Sequence, residues 1–371
     1  MADIKQKLKT AANNPWHVPM LIIRRLRTSF SYHLSSLLND WAALPETVNI
    51  YPTTRCNLKC NMCFAKLYRS KTELGINEWM DIIDRIQPFH PRIHISGGEP
   101  FVYPYIIDLI GHIKRKGFFL HITTNGTFLN QHADQIIDLG INRIDISIDG
   151  TQEVHDKVRG VPGTFKNIAA GLELLRTKKG KSRTPAIRIN SIINFDDFTS
   201  MEKVINLGKS WGMESILFIY PLYLKTTEIQ IHRKYLKDNL GLDLHYWKNA
   251  DHFKPVPADF NRAWSIIRKL YAPGLVKVEV FPRFTKIQFE AFYQENTDFY
   301  ASLTGTCKAM WNTATILPTG EIESCPDYII GNCREENFAA LWNSDKMKVL
   351  RRRIKDRQFF SVCRACCFFY T

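Results

Sequence analysis

From residue 47 onward, short β-rich runs alternate with stretches of helical periodicity, and this alternation restricts the fold more than any other feature of the chain. Strands separated by helices predict parallel pairing with right-handed crossovers. A doubly wound sheet would need a ligand fingerprint at its switch point, and the sequence contains neither G-x-G-x-x-G nor a Walker A motif. We therefore predict an α/β protein with a partial (β/α)6 TIM-like barrel over residues 47–220, its strands at 48–53, 92–96, 119–124, 143–148, 187–193 and 215–220.

Four of these predicted strands are followed directly by segments that can carry chemistry. They are, in order, the cysteine-containing loop 56–63, SGGEP at 96–100, TNG at 124–126 and SID at 147–149. The carboxyl ends of parallel strands meet at one rim, where sites collect in such folds. The sequence therefore predicts a single site built from four strands.

The nine cysteines fall into two groups, and the first group is the triplet Cys56, Cys60 and Cys63. In a reducing compartment such groups are typical of metal ligands rather than disulfides. Structural zinc uses four ligands, and three thiolates would weaken the Lewis acidity of a catalytic zinc. A [4Fe-4S] cluster held by three cysteines fits better, because its fourth iron stays open to a ligand from outside the protein.

The spacing C-x3-C-x2-C of the triplet, followed one strand later by SGGEP, resembles the radical S-adenosylmethionine (SAM) enzymes. The resemblance implies that the open iron binds SAM and that an electron splits SAM into methionine and a 5′-deoxyadenosyl radical. It also implies that Glu99 receives the amino group of SAM, which suits a carboxylate that accepts charge-assisted hydrogen bonds. Gly97 and Gly98 would let the backbone approach the ligand closely.

The same resemblance gives roles to further positions around the rim. Ser147 and Asp149 would lie near the ribose and methionine of SAM, although such residues at strand ends are also common turn formers. Arg159 would pair with the SAM carboxylate. The remaining expected SAM-site residues are Pro100, Asn125, Asn194 and, against the adenine, Phe64.

The second cysteine group lies at the C-terminal end and resembles the SPASM and twitch extensions of radical SAM enzymes. The runs TATIL and EIESC flank the turn PTG, which predicts a β-hairpin, and a helix is expected from about Glu336 to Lys355. The resemblance implies one auxiliary [4Fe-4S] cluster within residues 301–371. We assign it to Cys307, Cys325, Cys363 and Cys366, with Cys333 or Cys367 as possible substitutes and with zinc as the alternative metal.

Two further regions frame this core. Residues 221–300 are rich in aromatics and are expected to complete the barrel and form a lid beside a substrate pocket. Residues 1–46 are expected to be a helical extension that packs an apolar stripe across the barrel, or else lays it on an anionic membrane or a partner. The stripe consists of Ile22, Leu26, Phe30, Leu34, Leu37 and Trp41.

The net charge of +14 predicts attraction to acidic partners, but the basic residues are spread along the chain, so we do not expect nucleic acid as a partner. The N-terminal region shows neither a spanning segment nor a convincing signal peptide. We expect a cytoplasmic protein, with peripheral membrane contact through residues 1–46 as a variant of that expectation.

Taken together, the residues and the resemblance predict a radical SAM oxidoreductase or maturase that abstracts hydrogen from a substrate carbon. The first expectation is oxidative modification of a peptide or protein. The alternative is dehydrogenation, epimerisation or coupling of a small molecule, sugar or lipid precursor, and the third is a non-catalytic iron–sulfur or zinc interaction protein. An external donor such as flavodoxin or ferredoxin would supply the electron. The sequence singles out no general base or hydrogen donor.

Overall fold

A computed structural model describes residues 30–35, 37–63, 70, 72–248, 250–251, 256–270, 276–294, 299 and 306–370. Its centre is a ten-stranded sheet in the order β10-β9-β8-β1-β2-β3-β4-β5-β6-β7. The strands are β1 Thr47–Ile50, β2 Arg92–Ile95, β3 Leu120–Thr124, β4 Arg143–Ser147, β5 Ala186–Ile192, β6 Ser215–Ile219, β7 Lys277–Phe281, β8 Thr313–Ile316, β9 Glu321–Cys325 and β10 Tyr328–Asn332.

Strands β1 to β7 pair with their neighbours in parallel, so their carboxyl ends share one rim. All six predicted strands are present, and the α/β fold is confirmed. The connecting helices are α1 Ile76–Ile86, α2 Ile106–Arg115, α3 Leu129–Asp138, α4 Gln152–Arg159, α5 Thr164–Lys179, α6 Thr199–Ser210, α7 Thr226–Leu240, α8 Phe260–Leu270 and α9 Lys286–Tyr293.

The parallel strands alternate between two environments. Ile93, Ile122 and Ile144 are fully buried on the face that packs against the helices. The opposite face carries polar groups: His94 bonds to Asn49 at 3.0 Å, and the buried Asp145 follows two strands further on. The helix-facing positions therefore supply the apolar core, and the other face of the strands is polar.

Strand β7 was missed from the sequence, because KVEVF is a short alternating run inside the aromatic-rich segment. Many aromatics of that segment belong to the core, including Phe289, Phe292 and Tyr293, each at most 1% exposed. Phe253, Tyr271 and Tyr300 lie outside the described residues.

The C-terminal region continues the same sheet. Strand β8 pairs in parallel with β1, Thr47 opposite Thr313 and Ile50 opposite Ile316. The predicted hairpin β8–β9 is present and antiparallel, and β10, which the sequence analysis missed, extends it with register shifts. This pairing fixes β9, which ends in Cys325, two strands away from β1 and its cysteine loop.

The helix predicted over 336–355 is interrupted. The structure has α11 Phe338–Trp342 and α12 Asp345–Lys355, after a short α10 Ala309–Asn312. Asn337 caps α11 by accepting from the amides of Ala339 and Ala340, and Ser344 is extended at the start of α12. Asn and Ser compete with helical hydrogen bonding, which explains the break.

The expectation that the N-terminal stripe packs across the barrel is wrong for three of its four described residues, and the fourth, Leu34, is half-buried. Phe30, Leu37 and Trp41 are 66%, 81% and 47% exposed, while Ile22 and Leu26 lie outside the described residues. The segment contacts the C-terminal region instead, where the rings of Tyr32 and Trp311 pack edge-to-face with their centroids 4.9 Å apart. Among the described helices, none has the length and apolarity needed to cross a bilayer.

Candidate functional site

The loop after β1 carries the cysteine triplet, and the loop after β2 packs directly on its backbone. Gly98 N donates to Thr53 O at 3.0 Å, and Glu99 N donates to Arg55 O at 2.8 Å. A Cβ at Gly97 would lie 2.8 Å from Thr53 O, and one at Gly98 would lie 2.1 Å from Arg55 O. The two glycines are therefore required by the contact between the loops, and not only by approach to a ligand.

Glu99 is the acid of SGGEP, and its side chain is almost completely buried at 1% exposure. Its carboxylate accepts from Thr124 Oγ1 at 2.7 Å, Asn125 N at 2.7 Å and Phe101 N at 3.2 Å. Burial raises the pKa of Glu99 to about 7, although these hydrogen bonds pull it down. The group is thus poised between its two protonation states near neutral pH, and a cation at this position would favour the carboxylate.

Asn125, after β3, connects the third strand to the first cysteine. Its Nδ2 lies 3.8 Å from Cys56 Sγ and donates to Asn57 Oδ1 at 2.8 Å. The amide of Leu58 also donates to Cys56 Sγ at 3.5 Å. Burial raises the pKa of Cys56 to about 11, so the free group is a thiol, and these N–H donors point at the sulfur that a bound cluster would make anionic.

Arg159, the last residue of α4, reaches the second cysteine. Its Nη1 donates to Cys60 Sγ at 3.7 Å, and its Nε donates to Asp149 Oδ2 at 2.7 Å. Asp149 is fixed in turn by the amide of Ile192, which donates to Oδ1 at 2.9 Å. The helix end also holds the loop by its backbone, since Lys59 N donates to Arg159 O at 3.0 Å.

The structure shows how Arg159 is held within the protein: its guanidinium lies between the carboxylate of Asp149 and the sulfur of Cys60. The role that the resemblance implies for it, pairing with the SAM carboxylate, stays a prediction. Only 11% of its side chain is exposed. Arg159 therefore acts on the cysteine loop, whatever further contact SAM makes with it.

A cavity of about 470 Å³ lies beside the cysteine loop, between α4 and the loop after β5. Of the residues expected at the SAM site, Asp149 and Asn194 line this cavity, together with Asn61 and Met62. Asn194 Oδ1 also accepts from Asp196 N at 3.0 Å, which fixes the turn after β5. Ser147 ends β4 in a half-buried position, Pro100 is buried at the start of a 3₁₀ turn, and Phe64 lies outside the described residues.

The C-terminal cysteines form a second, more enclosed group. Cys307, Cys325, Cys363 and Cys366 are each less than 10% exposed and line one small cavity of about 20 Å³. Burial raises the pKa of Cys307 to about 11, and burial with the neighbouring cysteines raises the pKa of Cys325 further above its ordinary value. Four thiols brought together in an apolar pocket are a donor set that suits a cluster.

The two other C-terminal cysteines lie apart from this cavity wall. Cys333 is buried, with its amide donating to Gly320 O at 2.8 Å and its carbonyl accepting from Arg85 at 3.1 Å. Burial raises its pKa to about 12. Cys367 is exposed as a residue, yet its thiol lies close enough to Cys307 and Cys366 to add to the effect of burial in raising the pKa of both. The placement favours leaving Cys333 out of the ligand set and keeps Cys367 open as an alternative ligand.

Both donor sets suit iron–sulfur clusters, which cysteine thiolates hold. The N–H groups directed at Cys56 and Cys60 match the hydrogen bonding that cluster sulfurs receive.

A buried ionic group beside Cys325 escaped the sequence analysis. His245 lies between Glu323 Oε2 at 3.0 Å and Asp327 Oδ1 at 2.9 Å. Burial alone would lower the pKa of His245, but the two carboxylates raise it to about 10, so the imidazole is cationic at neutral pH. No local pattern links residues 78 or more positions apart, and only the neighbouring Cys325 marked this place.

Comparison with known families agrees with this geometry. The profile of the Radical SAM superfamily matches residues 50–198, and that of SPASM, an iron-sulfur cluster-binding domain, matches residues 307–367. A probable GTP 3′,8-cyclase of Methanococcus maripaludis is 31% identical over 237 residues, covering 61% of this chain and 73% of that protein. The chain therefore belongs to the radical SAM superfamily, a family of enzymes that bind a [4Fe-4S] cluster and SAM, and it carries a SPASM domain.

Other relatives cover more of the chain or align more closely over part of it. An AdoMet-dependent heme synthase of Methanosarcina barkeri is 24% identical over 85% of this chain and 88% of that protein. An Fe-coproporphyrin III synthase of the same organism is 36% identical over 46% of this chain and 43% of that protein. The crystal structure of Streptococcus suis SuiB bound to precursor peptide SuiA shares the fold, with a TM-score of 0.60 and 15% identity over 92% of this chain and 74% of that chain.

Proposed function

We propose that this protein cleaves SAM reductively and uses the resulting radical to abstract hydrogen from a substrate carbon. The observation that carries the proposal is the joint placement of the cysteine loop, the buried carboxylate of Glu99 and the N–H donors directed at Cys56 and Cys60. When bound, the cluster and SAM supply the electron and the 5′-deoxyadenosyl radical.

The chain's own residues have distinct tasks in this reaction. Cys56, Cys60 and Cys63 hold the cluster, and Glu99 accepts the ammonium group of SAM by charge-assisted hydrogen bonds. Asp149 keeps Arg159 directed at Cys60. The remaining expected contacts to SAM come from Gly97, Gly98, Pro100, Asn125, Ser147, Asn194 and Phe64.

The second cysteine group supports an oxidative outcome. We propose that Cys307, Cys325, Cys363 and Cys366 hold an auxiliary cluster. A substrate radical that gives up a second electron is oxidised by two electrons overall and loses a proton, which yields a double bond, a cross-link or an oxidised carbon. An auxiliary cluster is an acceptor for that electron or a ligand for the substrate.

The proposed substrate is a peptide or protein. The support is the shared fold with SuiB, which was solved with a precursor peptide bound. A small molecule is the second candidate. The small-molecule candidate is favoured by the similarity to the heme synthase of Methanosarcina barkeri. That similarity extends over 85% of this chain, whereas the Fe-coproporphyrin III synthase aligns with 46% of it.

The reaction is tested by incubating anaerobically reconstituted protein with SAM and dithionite and measuring 5′-deoxyadenosine. Release by the wild-type chain and none by Cys60→Ala supports the enzyme. A fully loaded first cluster without release favours a non-catalytic binding protein, and zinc in place of iron at the triplet contradicts the proposal outright.

The same assay identifies the substrate class and the electron donor. Candidate peptides and iron porphyrins are added in parallel, and the true class accelerates 5′-deoxyadenosine release and is recovered with a mass lower by two hydrogens. Reduced flavodoxin or ferredoxin, the proposed cytoplasmic electron donors, should replace dithionite.

A further inference from the structure

The described part of the N-terminal segment, residues 30–43, is attached to the C-terminal region by hydrogen bonds and an ion pair. Trp311 Nε1 donates to Ser35 Oγ at 3.0 Å, and Ala42 N donates to Asn343 Oδ1 at 2.9 Å. Arg352 Nη2 donates to Asp40 Oδ2 at 2.8 Å. These polar contacts fix the segment on α12 and on the turn before it without using its large apolar side chains.

Those apolar side chains point away from the protein. Phe30, Leu37, Leu38 and Trp41 are 66%, 81%, 50% and 47% exposed. They are four of the nine exposed large hydrophobic residues recorded among the described residues, and they lie within twelve positions. A fifth, Val349, is 53% exposed on α12, one turn before Arg352. We call these five residues the apolar patch, since the Arg352–Asp40 ion pair joins α12 to the segment. Exposed apolar patches mark interaction sites.

The patch is bordered by positive charge. Helix α12 has the sequence DKMKVLRRRIK, with six basic residues and one acidic residue. Arg351 is buried and Arg352 is paired with Asp40, so the border charge comes from Lys346, Lys348, Arg353 and Lys355. Lys355 Nζ and Lys308 Nζ lie 5.2 and 5.6 Å from the ring of Tyr32, two residues from Phe30. The one carboxylate within residues 30–41, Asp40, is buried and paired with Arg352. The border of the patch is therefore cationic.

We propose that the apolar patch and α12 form a docking surface for an anionic lipid bilayer. Trp, Phe and Leu side chains enter the interfacial region of a membrane, and adjacent Lys and Arg bind anionic headgroups. An acidic protein would match the charge, yet it would not require five exposed apolar side chains on so short a surface. The proposal is independent of the reaction proposed above.

Vesicle co-sedimentation of the full chain tests the proposal. We expect binding to vesicles of 70% phosphatidylcholine and 30% phosphatidylglycerol, binding at least tenfold weaker to pure phosphatidylcholine, and loss of binding at high salt. The variant Leu37→Ser/Leu38→Ser/Trp41→Ser should bind at least tenfold more weakly than wild type. The matched control is Ile231→Ser/Ile287→Ser, which removes apolar side chains of 61% and 72% exposure elsewhere and should bind as wild type does.

A charge variant separates the electrostatic contribution to vesicle binding from the apolar one. Lys346→Gln/Lys348→Gln, which leaves the Arg352–Asp40 ion pair intact, should reduce binding to the anionic vesicles and leave the weak binding to neutral vesicles unchanged, with circular dichroism confirming the fold. Equal binding by the serine variant and its control would overturn the proposal. So would a wild-type dimer that the serine variant converts to a monomer, because the patch would then be an interface between two copies.

Discussion

The two cysteine groups occupy opposite environments. Cys56 is exposed, Cys63 is half-buried and Cys60 is buried, and N–H groups of Asn125 and Arg159 lie near the sulfurs of Cys56 and Cys60. The four C-terminal cysteines are buried in a pocket with apolar walls such as Met310 and Phe369. The first site is open on one side and hydrogen-bonded on the other, as a site that admits SAM must be. The second is closed, which favours electron transfer over substrate ligation as the role of its cluster.

The largest expected effect on activity and iron content comes from replacing one cysteine ligand at each cluster site. Cys60→Ala should abolish 5′-deoxyadenosine release while the auxiliary iron remains. Cys363→Ala should lower the iron content by about four atoms per chain, retain release in the absence of substrate and lose the oxidised product. Iron analysis and product assay measure both.

The control for these variants is Cys333→Ala, since Cys333 is buried elsewhere with its backbone held by Gly320 and Arg85. It should keep the full iron content. Loss of iron from Cys333→Ala, with none from Cys363→Ala, would reverse the assignment of the auxiliary ligands.

The next effect in size concerns Glu99 on the open side. Glu99→Gln removes the acceptor proposed for the SAM ammonium, so the affinity for SAM should fall by roughly 10- to 100-fold, the value of a hydrogen bond to a charged group. Because the pKa of Glu99 is raised to about 7, wild-type affinity should strengthen as pH rises through that value and more of the carboxylate forms.

Equilibrium binding of SAM from about pH 6 to about pH 7.5 measures this dependence. Glu99→Gln has no titrating group at this position and should show a flat profile over the same range. A wild-type affinity that falls as pH rises would contradict the role given to Glu99.

The smallest expected effect is an electrostatic shift in the midpoint potential of the first cluster. Arg159 places positive charge 3.7 Å from Cys60 Sγ, which stabilises the reduced cluster, so Arg159→Gln should shift its midpoint potential to a lower value. Lys157→Gln also removes one positive charge, but from an exposed position on the same helix, so it should shift the midpoint potential of the cluster less. Redox titration followed by EPR compares them, and equal shifts would show that the contact with Cys60 is not the cause.

Much of the fold could be predicted because its strands are local apolar runs, and the triplet because its spacing is local too. Strand β7 was missed because KVEVF is short and half-exposed, and the exposure of Leu37 and Trp41 could not be foreseen because periodicity does not say what a stripe faces. The contacts of Arg159 with Cys60 and of His245 with Glu323 join residues 99 and 78 positions apart. Such pairs depend on how the sheet brings its loops together.

The central claim is that the cluster on Cys56, Cys60 and Cys63 has an open iron that binds SAM. The most direct measurement is the EPR spectrum of the reduced Cys307→Ala/Cys363→Ala variant, which retains only that cluster, recorded with and without SAM. The account predicts that SAM changes the signal of the cluster. A spectrum that stays the same at saturating SAM would contradict it.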